Sequence, residues 1–147
     1  MKLKQISVFL ENSPGRLYEA TKALGDAGIN LRALSLADTS DFGVLRLLVS
    51  DVAEARRIMM EKQLPARVDE VIAAEIDDRP GSLARALKPL LDEKINLTYM
   101  YAFAGPSSGK AIMVFRFSDN DRAIEILRAN GVRLLDAKAF GMLEAGR

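Results

Sequence analysis

The stretch "NSPGRLYEATKALGDAGINL", residues 12–31, aligns without a gap on "DRPGSLARALKPLLDEKINL", residues 78–97. The identical pairs are Pro14/Pro80, Gly15/Gly81, Leu17/Leu83, Ala20/Ala86, Lys22/Lys88, Leu24/Leu90, Asp26/Asp92, Ile29/Ile95, Asn30/Asn96 and Leu31/Leu97. Chance does not match half of a 20-residue window at one constant offset. Further on, "SDVAEARRIM" (50–59) matches "SDNDRAIEIL" (118–127) at an offset two residues longer, which places an insertion in "AGPSSGK" (104–110). The chain is therefore an internal duplication of a unit of about 70 residues. The expected domains are 1–68 and 69–147.

Both copies read in the same order. Ile6, Val8 and Leu10 alternate with polar residues, a strand over 3–10. Leu17, Ala20, Leu24 and Ala27 recur at helical spacing, and Gly28 is a stop signal. Segments 29–37 and 42–50 read as strands joined by "DTSD", and Asp51 with Glu54 suggests a capping box for a helix over 52–62. "RVDEVIAAEI" is a strand long enough to end the first copy and begin the second. The second copy repeats the pattern with a helix over 81–93, strands over 95–103 and 111–118, a helix over 121–129, and a last strand within 134–143.

The order β-α-β-β-α-β is the split βαβ, or ferredoxin-like, unit. The fold class is thus α+β: two ferredoxin-like units, each an antiparallel sheet with its helices on one face. A unit near 70 residues buries a modest core and leaves edges and one sheet face uncovered. Joined edges or stacked faces, with a homodimer covering more, are therefore expected. Ala33, Ser35 and Ala37 in one copy stand where Tyr99, Tyr101 and Phe103 stand in the other, each trio on one face. Small residues opposite large ones suit interdigitated packing, but the aromatics would equally fill the second copy's own core.

Composition narrows the chemistry. The 147 residues include no His and no Cys, which excludes Ser-His-Asp triads, Cys-His dyads, phosphohistidine chemistry, disulfides and Cys-ligated zinc. No carboxylate pair has a spacing that marks a metal or acid/base site, so no catalytic residue, metal or cofactor is assigned. A net charge of +1 argues against a nucleic-acid partner. No apolar run approaches the roughly 20 residues of a membrane span. The N-terminal "MKLKQISVFLEN" lacks a cleavage site, so a cytoplasmic protein is expected.

At the Pro-Gly junction, Pro at a helix start sacrifices no hydrogen bond, and Gly permits a sharp turn and close approach. The following helix offers free N–H groups to a carboxylate. Asn30 opens the next strand, which in a βαβ unit runs parallel to and beside the first, so Asn12 and Asn30 would bracket one small zwitterion. The same residues also fit local roles, Asn12 as a helix cap and Asn30 as a strand start. Spacing alone does not separate these readings.

The pattern "FLENSPGRLYEATKALGDAGINLRALS" within a βαββαβ unit resembles an ACT domain. "YMYAFAGPSSGKAIMVFRF", after a second "DRPGSL…INL", is similar to the second half of stand-alone tandem ACT proteins. The resemblance covers essentially the whole chain. It implies an allosteric regulatory module that binds an amino acid or other small ligand at an interface between paired domains. It also implies ligand contacts at Asn12 and Asn30, with Ser13, Gly15, Arg16 and Leu17 forming the loop. A possible second site comprises Asp78, Gly81, Ser82, Leu83 and Asn96. There Asp78 replaces the Asn, and an ionised carboxylate would repel a ligand carboxylate.

Three other signals carry less. "GPSSGK" lacks the Gly and the Ser/Thr of a phosphate loop and joins two strands, so it reads as a hairpin loop. Tyr99, Tyr101, Phe103, Phe115 and Phe117 suggest an RNA-stacking sheet, but the basic-aromatic RNA-binding pattern is missing. Pro89 should bend its helix on a face turned to solvent. The expected function is a non-catalytic amino-acid sensor acting in trans, a homodimer with a possible enzyme partner. The alternative is a regulatory subunit of a biosynthetic enzyme, resembling the acetolactate synthase small subunit. A cryptic ferredoxin-like enzyme is the remote case.

Overall fold

The computed structural model describes residues 1–38, 41–104 and 109–143. Thr39 and Ser40 of the expected turn, and Gly105 to Ser108 of the insertion loop, lie outside the described residues. The first repeat runs β1 (Leu3–Glu11), α1 (Arg16–Asp26), β2 (Leu31–Asp38), β3 (Phe42–Val49), α2 (Val52–Glu61) and β4 (Ala66–Asp77). The second continues with α3 (Ser82–Asp92), β5 (Leu97–Ala104), β6 (Lys110–Phe117), α4 (Asn120–Ala129) and β7 (Arg133–Leu135). A single 3-10 turn, Lys138–Phe140, follows β7, so the last strand is shorter than expected.

Two compact units result, and their ends depart from the repeat boundary. One comprises Lys4–Asp69 with the tail from Ala137, and the other Glu70–Asp136 with Met1–Leu3. We call them the first and second units. Within the first, the strands lie in the order β2-β3-β1-β4; within the second, β5-β6-β4-β7. These are the same order. The pairings whose register is defined are all antiparallel. β4 serves twice, ending one βαββαβ unit and opening the next.

Period two decides which residues meet the helices. Ile6, Val8 and Leu10 of β1 and Leu45, Leu47 and Val49 of β3 share a core with Ala20 and Leu24 of α1 and with Ala55, Ile58 and Met59 of α2. In the second unit, Ile72, Ala74, Met113, Phe115 and Phe117 pack with Leu90, Ala123, Ile124 and Leu127. Each fully buried Leu or Ile contributes about 1.5–3 kcal/mol. The second helix of the first unit starts as the sequence suggests, and its counterpart in the second unit is capped alike. Asp51 Oδ1 accepts from the Glu54 N–H at 3.1 Å, and Asp119 Oδ1 from the Arg122 N–H at 3.0 Å. The Glu54 carboxylate turns instead to Arg57, so the capping box is half made.

The opposite sheet faces are also buried in part. Gln5 and Ser7 are fully buried there, and Gln5 Nε2 donates to Ser7 Oγ at 3.2 Å. Ser7 Oγ donates in turn to Asp69 Oδ2 at 3.1 Å, and Asp69 pairs with Arg67 at 3.0 Å. This chain of bonds gives the buried side chains of Gln5, Ser7 and Asp69 partners. Tyr99, Tyr101 and Phe103 stand opposite Arg116, Val114 and Ile112, which puts them on this face and half-buried. They do not fill the helix-side core, where Phe115 and Phe117 pack instead. Pro89 is half-buried and lines a cavity, so it is less open to solvent than its spacing suggested.

Candidate functional site

Ser13-Pro14-Gly15-Arg16 is a tight turn closed by Arg16 N–H donating to the Ser13 carbonyl at 3.4 Å. Gly15 sits at φ 90°, ψ −12°, the third position of a type II turn, and Pro14 occupies the favoured second position. Arg79-Pro80-Gly81-Ser82 repeats it, with a 3.1 Å bond and Gly81 at φ 85°, ψ −7°. Pro therefore stands before the helix cap and not at the first helical residue. Nothing lies within 4 Å of a Cβ built on Gly15, so positive φ, not close approach, demands that glycine.

Around this turn the first unit is solvent-facing. Asn12, Ser13, Gly15 and Leu17 are exposed. The Asn12 N–H donates to the Asp41 carbonyl at 3.1 Å, and its side chain makes no hydrogen bond among the described residues. Asn12 does not cap α1, which has no side-chain cap. Arg16 is held between Glu19 at 3.3 Å and Glu11 at 3.6 Å.

Asn30 lies elsewhere. Its N–H donates to Ser50 Oγ at 2.9 Å and its carbonyl accepts from the Ser50 N–H at 2.9 Å. The tail follows on, with Leu143 N–H donating to the Ser50 carbonyl at 2.8 Å and Arg32 Nε to the Gly141 carbonyl at 3.3 Å. The expected bracketing of one ligand by Asn12 and Asn30 within a unit fails on topology. β3 runs between β1 and β2, with Phe42 opposite Glu11 and Val49 opposite Leu31. The two asparagines sit at opposite ends of β3, roughly 20–25 Å apart along it. The βαβ crossover skips a place in the sheet, and the later strand β3 fills it.

The second unit repeats the layout with different charges. The Asp78 N–H donates to the Gly109 carbonyl at 2.9 Å, and Asn96 accepts from the Ser118 N–H at 2.8 Å, again at opposite ends. Gly81 and Asp78 are exposed, Leu83 is half-buried and Ser82 is buried. Asp77 pairs with Lys110 at 2.5 Å. That ammonium holds the Asp77 carboxyl below the ordinary carboxylate range, with Arg79 and Arg85 acting in the same direction. The neighbourhood of Asp78 is therefore richer in cations than Asp78 alone implies. Sequence reasoning missed this surround, although Lys110 aligns with Phe42 in the repeat.

The topology, the duplicated turn and the paired units coincide with a family model described as an ACT domain pair, which matches residues 1–143. The chain belongs to the ACT domain family. This ACT pair is similar to protein BT0572 from Bacteroides thetaiotaomicron, a solved structure, at 38% identity over 97% of this chain and 98% of that one, with a TM-score of 0.90. The regulatory subunit of aspartate kinase from Thermus flavus shares the fold at 18% identity, covering 86% and 88% of the two chains, TM-score 0.63. The acetolactate synthase small subunit of Buchnera aphidicola subsp. Baizongia pistaciae is 26% identical over 100 residues, 67% of this chain. That match spans 60% of the relative's length. No described helix is long and apolar enough to cross a membrane.

Proposed function

We propose that this ACT pair is a non-catalytic cytoplasmic sensor that binds an amino acid on the loop of Asn12, Ser13, Gly15, Arg16 and Leu17. The ligand's second wall is Asn30 of another copy of the chain in a homodimer. The observation that carries this reading is the placement of Asn12 and Asn30 at opposite ends of one sheet. β2 is an edge strand, and its Leu34 and Leu36 are more than half exposed. Two such edges paired antiparallel about a twofold axis bring the Asn30 end of one copy to the Asn12 end of the other. An amino acid seated there joins two chains. Its occupancy shifts the assembly by the difference in its affinity for the docked and undocked states.

A thermal-shift screen of the twenty amino acids tests the reading. At 100 times Kd, the bound ligand adds about 2.7 kcal/mol of apparent stability. Asn12→Ala and Asn30→Ala should each abolish the shift while leaving the fold intact. Mixed dimers of the two variants should regain one site, because one loop and one Asn30 remain native. A shift with no amino acid, or no recovery in the mixture, overturns it.

A second reading rests on the likeness to the acetolactate synthase small subunit. On it, the chain transmits its occupancy to a biosynthetic enzyme as a regulatory subunit. Co-purification with such an enzyme supports that reading, and a lone homo-oligomer opposes it. The loop of Asp78, Gly81, Ser82 and Leu83 with Asn96 is the weaker amino-acid site on either reading, because its Asn is replaced.

A further inference from the structure

The second unit holds a cavity of about 380 Å³ beside its β4–α3 turn, walled by α3, the ends of β4 and β6, and the turn after α4. That volume is at the small end of the range for small-molecule sites. Its charged wall is Glu75, Asp77, Arg85, Lys110 and Arg133. Two of the cations are matched by carboxylates. Arg133 lies 3.4 Å from Glu75, and Lys110 lies 2.5 Å from Asp77. Arg85 is left over. Among the described residues its hydrogen-bond partner is neutral, Ser82 Oγ at 3.2 Å. Ser82 is 8% exposed, and its hydroxyl proton has no acceptor among the described residues. Ile76 and Ala86 supply an apolar floor.

The repeat shows how this cavity arose. Ser82 aligns with Arg16, Arg85 with Glu19, Glu75 with Phe9, Lys110 with Phe42 and Arg133 with Pro65. In the first unit Arg16 is drawn to Glu11 and Glu19, and Arg67 lies over the Phe9 ring at 5.6 Å. At the aligned position the second unit has the short Ser82, and cations stand where the first unit has Glu19, Phe42 and Pro65.

We infer that this cavity binds a small organic anion, a carboxylic acid or a phosphate ester. The Arg85 fork and the Ser82 hydroxyl hold the oxyanion, and the aliphatic part lies on Ile76 and Ala86. The guanidinium presents paired N–H donors that match either oxyanion. Glu75 and Asp77 would repel an anion if bare, but Arg133 and Lys110 neutralise them in place. This site is separate from the amino-acid site on the Asn12 loop and does not depend on it, and it gives Ser82 a role other than the one it has in the weaker amino-acid loop of the second unit.

Titration calorimetry with succinate and with inorganic phosphate, alongside amide NMR, tests the inference. Saturable binding of either probe is expected, with amide shifts centred on Ser82 and Gly131; which probe binds distinguishes the acid from the phosphate source. Arg85→Gln should weaken Kd at least tenfold, Ser82→Arg should abolish binding, and Asn12→Ala should leave it unchanged. Binding should also weaken with added salt. Absence of binding by both probes at millimolar concentration overturns the inference, as does binding that survives Ser82→Arg or amide shifts that map elsewhere. If a variant fails to fold, the wild-type amide map decides. Loss of the amino-acid response in Asn12→Ala with anion binding retained separates the two sites.

Discussion

Gly15 and Gly25 stand at the two ends of α1 and should respond to alanine with opposite signs. Gly15 is held at φ 90° by the type II turn. No atom lies within 4 Å of a Cβ added there, so Gly15→Ala meets no clash. Its whole cost is forcing an L side chain into the left-handed region, about 1–2 kcal/mol. Gly25 lies within α1 (Arg16–Asp26), also with nothing within 4 Å of an added Cβ, and its φ is not positive. Gly25→Ala therefore removes only the entropy penalty of glycine in a helix and should stabilise by about 0.5–1 kcal/mol. Urea denaturation followed by circular dichroism measures both. In thermal scans the first variant should lose roughly 2–8 °C. Equal stability of Gly15→Ala and wild type would refute the turn geometry as the reason for Gly15, and destabilisation by Gly25→Ala would refute the helix-entropy argument.

The other predictions concern caps, core and charge. Asp51→Ala and Asp119→Ala each remove a side-chain cap from an equivalent helix and should each cost about 1 kcal/mol in urea unfolding; a neutral result for both would deny the caps a role. Leu24→Ala empties a fully buried site and should cost about 2–5 kcal/mol, with a smaller loss meaning that the first unit's core collapses to fill the gap. Asp77 titrates below its ordinary value of 3.8 in the folded chain because Lys110 pairs with it. Its contribution to stability is thus present above that value and fades as the pH falls through the folded pKa. Asp77→Asn should therefore flatten the acid limb of a stability–pH profile, and coincident profiles would show that the pair adds nothing.

Duplication made the fold legible. Each local signal was repeated, so the order and layering followed from the sequence, and the elements did too apart from the short β7 and the 3-10 turn after it. The position of Asn30 relative to Asn12 was not legible, because nothing local says that β3 inserts between β1 and β2. Only long-range pairing, Val49 with Leu31 and Phe42 with Glu11, sets that separation. Alternation put Tyr99, Tyr101 and Phe103 on one face, but choosing the face required their register against Arg116, Val114 and Ile112. The cavity of the second unit was written in the sequence as mismatches between repeats, at Arg16/Ser82 and Glu19/Arg85. Identities locate the fold, whereas these differences locate what one copy does and the other does not.

The crossed-over chain ends bear on how this duplicated gene is to be dissected. Met1–Leu3 belongs with the unit built from the second repeat, and the tail from Ala137 belongs with the unit built from the first. Cutting between Asp69 and Glu70 therefore yields two fragments, each missing a piece that only the other can return. A split version should regain both units only when the halves are expressed together, and a circular permutation that preserves those end segments should be tolerated better than a clean bisection.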